Sequence, residues 1–149
     1  MLAKVWELCV SEREDDRRRR TVAYSLGRHN GRLGHPDDWR PISVFAHEPG
    51  RFFFHRGRLI GGLNGGTAWS WLYISHLWVD ETYRGQRLGS ALMARAERLG
   101  REHGMLGAHL TTASFQARGF YEKQGYSVFG ELKDMPPGET LFYLCKRFQ

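Results

Sequence analysis

The stretch Leu77-Trp78-Val79-Asp80-Glu81-Thr82-Tyr83-Arg84-Gly85-Gln86-Arg87-Leu88-Gly89-Ser90-Ala91-Leu92 gathers residue types that together hold an anion. An apolar strand stops, a loop rich in Arg and Gly follows, and a helix opens. The first amides of a helix have no acceptor inside it, and the helix dipole adds partial positive charge at the same point. A diphosphate suits such a place. Arg84 and Arg87 add forked cationic donors. Gly85 and Gly89 have no Cβ, so a ligand can come close to the backbone.

These residues need elements to position them. Lys4 to Val10 reads as a strand. Ser11 and Glu14 form a capping-box pattern, which predicts a helix over about Glu12 to His29, ended by Asn30-Gly31. Ile42 to Ala46 is extended, and Pro49-Gly50 is a turn. Phe52 to His55 and Arg58 to Gly61 read as a hairpin around Arg56-Gly57. The run Gly61-Gly62-Leu63-Asn64-Gly65-Gly66 resembles a phosphate loop, but it lacks the Lys-Ser/Thr ending of a nucleoside-triphosphate loop. A bulged or tightly packed strand is its better reading.

Trp69 to Val79 is almost continuously apolar, which predicts a strand buried on both faces. The following helix carries Leu88, Ala91, Leu92, Ala96 and Leu99 on one face and closes at Gly104. Leu106 to Thr111 is a short strand, and Ser114 to Lys123 a helix stopped by Gly125. Tyr126 to Leu132 and Leu141 to Arg147 are closing strands around Pro136-Pro137-Gly138. This order gives an α/β (α+β) domain spanning residues 1–149, with one central mixed sheet of about six to seven strands and three to four helices against it.

The 149 residues carry a formal charge of +6. That balance favours anionic partners such as a nucleotide cofactor. In the most basic run, Arg18, Arg19 and Arg20 follow Glu14, Asp15 and Asp16 at four-residue spacing, so a solvated, ion-paired helix face explains it better than a binding patch. No apolar run approaches the roughly 20 residues of a membrane span. Cys9 and Cys145 form no Cys-x-x-Cys motif and read as reduced core thiols of a cytoplasmic protein. No metal-ligand spacing is present.

Gln86-Arg87-Leu88-Gly89-Ser90-Ala91 fits the Gln/Arg-x-x-Gly-x-Gly/Ala motif and resembles the GNAT superfamily of acyl-CoA-dependent N-acyltransferases. About 30 residues on, Ala117-Arg118-Gly119-Phe120-Tyr121-Glu122-Lys123-Gln124-Gly125-Tyr126 is similar to the family's second signature. The resemblance spans Leu59 to Phe148; residues 1–58 match only in element order. It implies a single GNAT-like domain with its sheet splayed in the middle. It also implies acetyl-CoA as acetyl donor, lying where the parallel strands Tyr73 to Val79 and Leu106 to Thr111 part. The pantetheine amides would meet the backbone of Leu77, Trp78 and Val79. The diphosphate would meet Arg84, Gly85, Gln86, Arg87, Leu88, Gly89 and Ser90. Two positions depart from the pattern. The family often has Gly where Arg87 stands, and residue 87 is expected to be helical with its side chain near the phosphates. The family often has Asn at Ser114, whose hydroxyl would cap the helix or bond the pantetheine arm.

The implied reaction is direct attack of a primary amine, on a small molecule or a protein, in a ternary complex. Tyr121 matches the family's helix tyrosine and is the expected acid for the leaving thiolate, as well as a cofactor contact. The base comes from Tyr73, Ser75, His76 or His109. His76 has the best intrinsic chemistry. Strand alternation turns it away from the face of Tyr73 and Ser75 unless a bulge shifts it. Asp80 and Glu81 shape the loop. Of Trp69, Trp71, Tyr73 and Trp78, most pack in the sheet, and one or two line an amine pocket. The acceptor is not specified by the sequence. The resemblance also implies self-association, with the C-terminal hairpin as its surface. Two other readings fit parts of the chain. One is a non-catalytic GNAT-like domain that binds CoA for regulation. The other is a basic nucleic-acid-binding module, which lacks a recognisable motif.

Overall fold

The computed structural model describes residues 8–49 and 57–149. It divides into two units, one ending at Asp37 and one running Asp38–Gln149. The first holds helix α1 (Asp16–Arg32). Its cap is Asp15, whose carboxylate accepts from the Arg18 N–H, and not the expected Ser11, whose hydroxyl donates to the Arg13 carbonyl instead. The helix starts later and ends later than predicted, passing through Asn30-Gly31 to Arg32, with Gly34 beyond it at φ 87°. The expected four-residue ion pairs are replaced by Asp15 with Arg18 at 3.4 Å and Glu14 with Arg19 at 3.0 Å. Both are exposed, so they order the helix surface and add little stability. Leu8 to Val10 form no strand, and Lys4 to Glu7 lie outside the described residues. Cys9 is exposed rather than in a core, while Cys145 is half-buried.

The second unit is a six-stranded mixed sheet: β1 (Arg40–His47), β2 (Leu59–Ala68), β3 (Trp71–Val79), β4 (Gly107–Ala113), β5 (Ser127–Lys133) and β6 (Thr140–Arg147). Its spatial order is β1-β2-β3-β4-β6-β5, and among the described residues only the β3–β4 pair is parallel. A 3₁₀ turn (Glu81–Tyr83) leads to α2 (Leu88–Glu102), and α3 (Arg118–Lys123) follows β4. The predicted hairpin partner Phe52 to His55 and its Arg56 lie outside the described residues; β2 pairs with β1. Trp69 and Ser70 belong to the β2–β3 turn, both at positive φ, so β3 starts two residues later than expected.

Core packing sets the rest. Helix α2 buries Leu92, Met93, Ala96, Glu97 and Gly100. Ala91, expected on this stripe, is exposed, and the buried stripe is rotated toward Met93 and Glu97. These side chains meet Leu63, Leu72, Ile74, Ala108, Leu110 and Leu144 from the sheet. The buried Glu97 carboxylate is held by Lys146 of β6 at 2.7 Å and by Arg101 at 3.5 Å. A buried charge needs such partners. The pair ties α2 to the strand beside β4. Strand β3 is buried on one face only: Leu72 and Ile74 are interior, whereas Ser75, His76 and Trp78 are exposed. Its apolar run overstated its burial because Trp and Tyr rings cover the outer face.

Candidate active site

Two irregularities of β3 create the site. The parallel ladder to β4 runs from Trp71 opposite Gly107 to Ile74 opposite Leu110 and stops there. Beyond it β3 stays with β2, and β4 stays with β6, through Thr111 to Ala113. The backbone groups of β3 that face the parting strand have lost their ladder partners. The second irregularity is a bulge. Asn64 pairs with His76 and Gly65 with Ile74, so Ser75 is an extra residue on β3. A bulge re-aims the side chains around it. Ser75 and His76 both line one cavity, so the parity expected for an unbroken strand does not hold at His76. The Ser75 hydroxyl donates to the Asn64 carbonyl at 3.1 Å, and His76 Nδ1 lies 3.0 Å from the same hydroxyl oxygen.

That cavity has a volume of about 1080 Å³. Leu77, Trp78 and Val79 form one wall. Arg84, Gly85, Arg87, Leu88, Gly89 and Ser90 close one end, and Thr112, Phe115, Gln116, Phe120 and Tyr121 form the far wall. The first bond inside α2 runs from the Ala91 N–H to the Arg87 carbonyl at 3.0 Å. The amides of Leu88, Gly89 and Ser90 therefore have no acceptor inside the helix. No acidic residue stands in the first turn of α2. A diphosphate fits this end: amides without helix acceptors, a helix dipole and two arginines, of which Arg84 also pairs with the exposed Glu81 carboxylate at 3.7 Å.

Arg87 is not helical. It is the N-cap of α2 at φ 64° and ψ 8°, in the left-handed region. The glycine the family often has here is explained by that conformation, and this chain carries a side chain in its place. The two loop glycines also have separate reasons. Gly85 has φ 74° and open space around it, so its role is conformational. A Cβ at Gly89 would lie 3.3 Å from the Phe120 ring, so its smallness lets α2 pack on α3.

A polar clamp holds the loop from behind. The Asp80 carboxylate accepts from the Thr82 N–H at 3.0 Å and from its hydroxyl at 2.6 Å. Arg58 reaches Asp80 at 2.8 Å and Glu48 at 3.2 Å, and the Tyr83 hydroxyl donates to Glu48 at 3.0 Å. The two Thr82 bonds, and then Arg58, lower the Asp80 carboxyl to a pKa of about 2. Acceptance by Glu48 raises the Tyr83 phenol above its ordinary value. Asp80 thus shapes the loop, as expected. Arg58, Glu48 and Tyr83 lie up to 35 residues apart in sequence and carried no local signal.

A profile of the acetyltransferase (GNAT) family matches residues 8–126. The chain belongs to the GNAT family. It is 45% identical over 109 residues to a blasticidin-S acetyltransferase of Streptomyces morookaense, covering 72% of this chain and 77% of that protein. The crystal structure of an acetyltransferase from Bacillus cereus superposes with a TM-score of 0.81 at 26% identity, covering 94% of this chain and 98% of the other. A candidate streptothricin acetyltransferase from Bacillus anthracis, solved with acetyl coenzyme A, matches with a TM-score of 0.58 at 28% identity, over 62% of this chain and 58% of its own. The six-stranded sheet with its helices is thus the GNAT fold, and the chain is an acetyltransferase that takes acetyl-CoA as acetyl donor.

Within this GNAT site the predicted residues separate. Tyr121, His76, Leu77, Trp78, Val79, Arg84, Gly85, Arg87, Leu88, Gly89 and Ser90 all line the cavity. Gln86 and Ser114 are not among its lining residues. The Gln86 amide donates to the Thr82 carbonyl at 2.9 Å, which braces the loop. The Ser114 hydroxyl donates to Glu139 and accepts from the Thr140 N–H at 3.0 Å, so it anchors the start of β6. It caps no helix: α3 starts at Arg118 with Ala117 as N-cap. Gln116 orders this turn instead, accepting from the Ala113 N–H at 2.9 Å and from the Thr112 hydroxyl at 3.2 Å. Gln116, Lys123 and Gln124 line the cavity and were missed. Gln124 donates to the Ser90 hydroxyl at 3.1 Å, and helical spacing from Phe120 and Tyr121 would have found it.

Tyr121 is buried, and burial raises its phenol pKa, so it stays protonated at neutral pH. Its ring packs edge-on against Phe120 at 5.1 Å and Tyr126 at 6.2 Å. His109 stacks on Tyr73 at 5.1 Å, away from the cavity lining, and burial lowers its pKa. Tyr73 and Trp71 share this outer cluster, Trp69 is exposed at the turn, and Trp78 alone of the four faces the cavity. Among the described residues no helix is long and apolar enough to cross a membrane, and no cluster of His, Cys, Asp or Glu is placed to hold a metal ion.

Proposed function

We propose that this acetyltransferase moves the acetyl group of acetyl-CoA to a primary amine of a small molecule, by direct attack with both substrates bound. The observation that carries this reading is that His76 and Tyr121 line the same cavity as Leu88, Gly89 and Ser90, whose amides open α2. A primary amine of pKa about 10.4 is mostly charged at pH 7 and must lose a proton to attack. His76 Nε2 takes that proton. The nitrogen then bonds to the thioester carbon, the carbon–sulfur bond breaks, and the electron pair leaves on sulfur. A β3 amide freed by the splay stabilises the developing oxyanion. Tyr121 serves the leaving sulfur. A thiol titrates near ~8.5 and a phenol near ~10, so full transfer from the raised Tyr121 is uphill. Its hydroxyl therefore stabilises the charge growing on sulfur as a hydrogen-bond donor, and the second proton, which the nitrogen loses as the amide forms, neutralises the thiolate while Tyr121 stays a phenol. Much of the acceleration comes from holding the two reactants in line.

The name of the Streptomyces relative makes blasticidin S the first acceptor to test. Thiol release from acetyl-CoA, measured over blasticidin S, streptothricin, simple diamines and a lysine peptide, tests the reading. Turnover confined to the peptide would replace the small-molecule acceptor with a protein one. The free cysteines support a reducing, cytoplasmic setting. The edge strand β5 exposes Phe129 and Leu132, which supports pairing of two copies through the C-terminal hairpin, and sedimentation velocity tests it.

A further inference from the structure

The bulged Ser75 has a specific consequence for its neighbour. Its hydroxyl has one hydrogen. The Asn64 carbonyl, 3.1 Å away, can only accept, so the hydrogen points there. The Ser75 oxygen is left as an acceptor toward His76 Nδ1, 3.0 Å away. In a neutral imidazole the nitrogen that donates carries the proton, and the other is a bare lone pair. We infer that Ser75 is a positioning residue: it holds His76 as the Nδ1–H tautomer, leaving Nε2 as the proton acceptor. Asn64 is fixed in turn by its pairing opposite His76 and by its side-chain oxygen, which accepts from the Ser43 hydroxyl at 3.0 Å. Three strands thus contribute to one alignment, through Ser43 on β1, Asn64 on β2, and Ser75 and His76 on β3. The charged groups that line the same cavity, Arg84, Arg87 and Lys123, are all cations, and none competes with Ser75 as an acceptor for Nδ1–H.

This inference deepens the proposed role of His76 as base and rests on that reading for its catalytic effect, but not for the tautomer itself. The experiment separates the two. Long-range ¹H–¹⁵N spectra of the full chain, with the His76 signals assigned by loss in His76→Gln, report which ring nitrogen carries hydrogen. The expected result is a protonated Nδ1 and a bare Nε2 in the wild type above the imidazole pKa. Ser75→Ala is expected to lose that exclusive signature and to lower kcat about tenfold with little change in KM for acetyl-CoA, because a misdirected imidazole is a poor base. Ser75→Thr keeps the hydroxyl and restores both signature and rate. A wild-type spectrum with hydrogen on Nε2, or an unchanged tautomer in Ser75→Ala, overturns the assignment. A changed tautomer with unchanged kcat supports the assignment and instead refutes His76 as the base.

Discussion

Arg87 offers a test in which stability and binding move in opposite directions. An L-residue in the left-handed region carries roughly 1–2 kcal/mol of strain. Arg87 sits there at φ 64° and makes no side-chain capping bond. Arg87→Gly removes that strain and costs roughly 0.5–1 kcal/mol in unfolded-chain entropy. The net is a gain of about 0.5–1 kcal/mol, or roughly 1–4 °C in Tm for a chain of this size. The same change removes a guanidinium from the end of the cavity proposed to hold the diphosphate. Charge-assisted bonds contribute about 1.5–3 kcal/mol, and the exposure of Arg87 puts it at the lower end, near a tenfold rise in Kd for CoA. Arg87→Ala separates the terms: the strain stays, so Tm is unchanged, while the tenfold loss in affinity remains. Thermal unfolding and calorimetric titration with CoA measure both. The reasoning fails if Arg87→Gly is no more stable than Arg87→Ala, or if both variants bind CoA as tightly as the parent.

Tyr121→Phe is expected to lower kcat by about 10²-fold while the Kd for CoA stays within about threefold; stopped-flow thiol release and calorimetry distinguish the two, and unchanged kcat would remove Tyr121 from the mechanism. Gly65→Ala puts a Cβ into the Tyr73 carbonyl at the bulge, so it is expected to cost about 3 kcal/mol in urea unfolding and to abolish turnover; a neutral effect would show that the bulge is dispensable. Asp80 has its folded pKa depressed to about 2, below an unfolded value near ~3.9, so its contribution is complete above pH ~4 and lost as pH falls toward 2. Asp80→Asn should therefore flatten the pH dependence of the urea midpoint between pH 4 and 2, and an unaltered profile would show that the Thr82 and Arg58 bonds contribute nothing.

What could be read from the sequence was what neighbours in the chain determine. The strand–loop–helix unit from Leu77 to Leu92 is local: its amides, dipole and arginines act within one turn of the helix start. Tyr121 was singled out by the family resemblance of Ala117 to Tyr126, and the structure places it on a short helix followed by Gly125 at φ 88°, lining the cavity. What could not be read depends on pairing across the sheet. The placement of His76 depends on an extra residue that exists only relative to Asn64 and Gly65 on another strand. The clamp formed by Glu48, Arg58 and Asp80 joins residues 10 to 32 positions apart. Ser114 was misassigned because a hydroxyl near a helix start normally caps it; here Glu139 and Thr140, 25 and 26 residues later, claim it first. The left-handed Arg87 went against propensity, and only the enforced geometry between the 3₁₀ turn and α2 holds it there.

The glycine run of β2 connects these features. It looked like a phosphate loop and binds none of the cavity; its residues are instead what allows β3 to be irregular. A Cβ at Gly61 would crowd Leu88 and Leu92 at 3.3 Å, so the small residue lets the first turn of α2 sit directly on β2. A Cβ at Gly65 would strike the Tyr73 carbonyl, so the bulge that lifts Ser75 needs a strand without a side chain opposite it. Strand β3 therefore meets β2 through a bulge at the point where its ladder with β4 has just ended at Ile74. With one edge released and the other displaced, all five residues from Ser75 to Val79 line the cavity. A regular strand could offer only alternate side chains and no free amides. A cavity in the middle of a sheet thus requires that the sheet be imperfect there, and in this chain the imperfection depends on the glycines of β2, one strand away from the residues proposed for the chemistry.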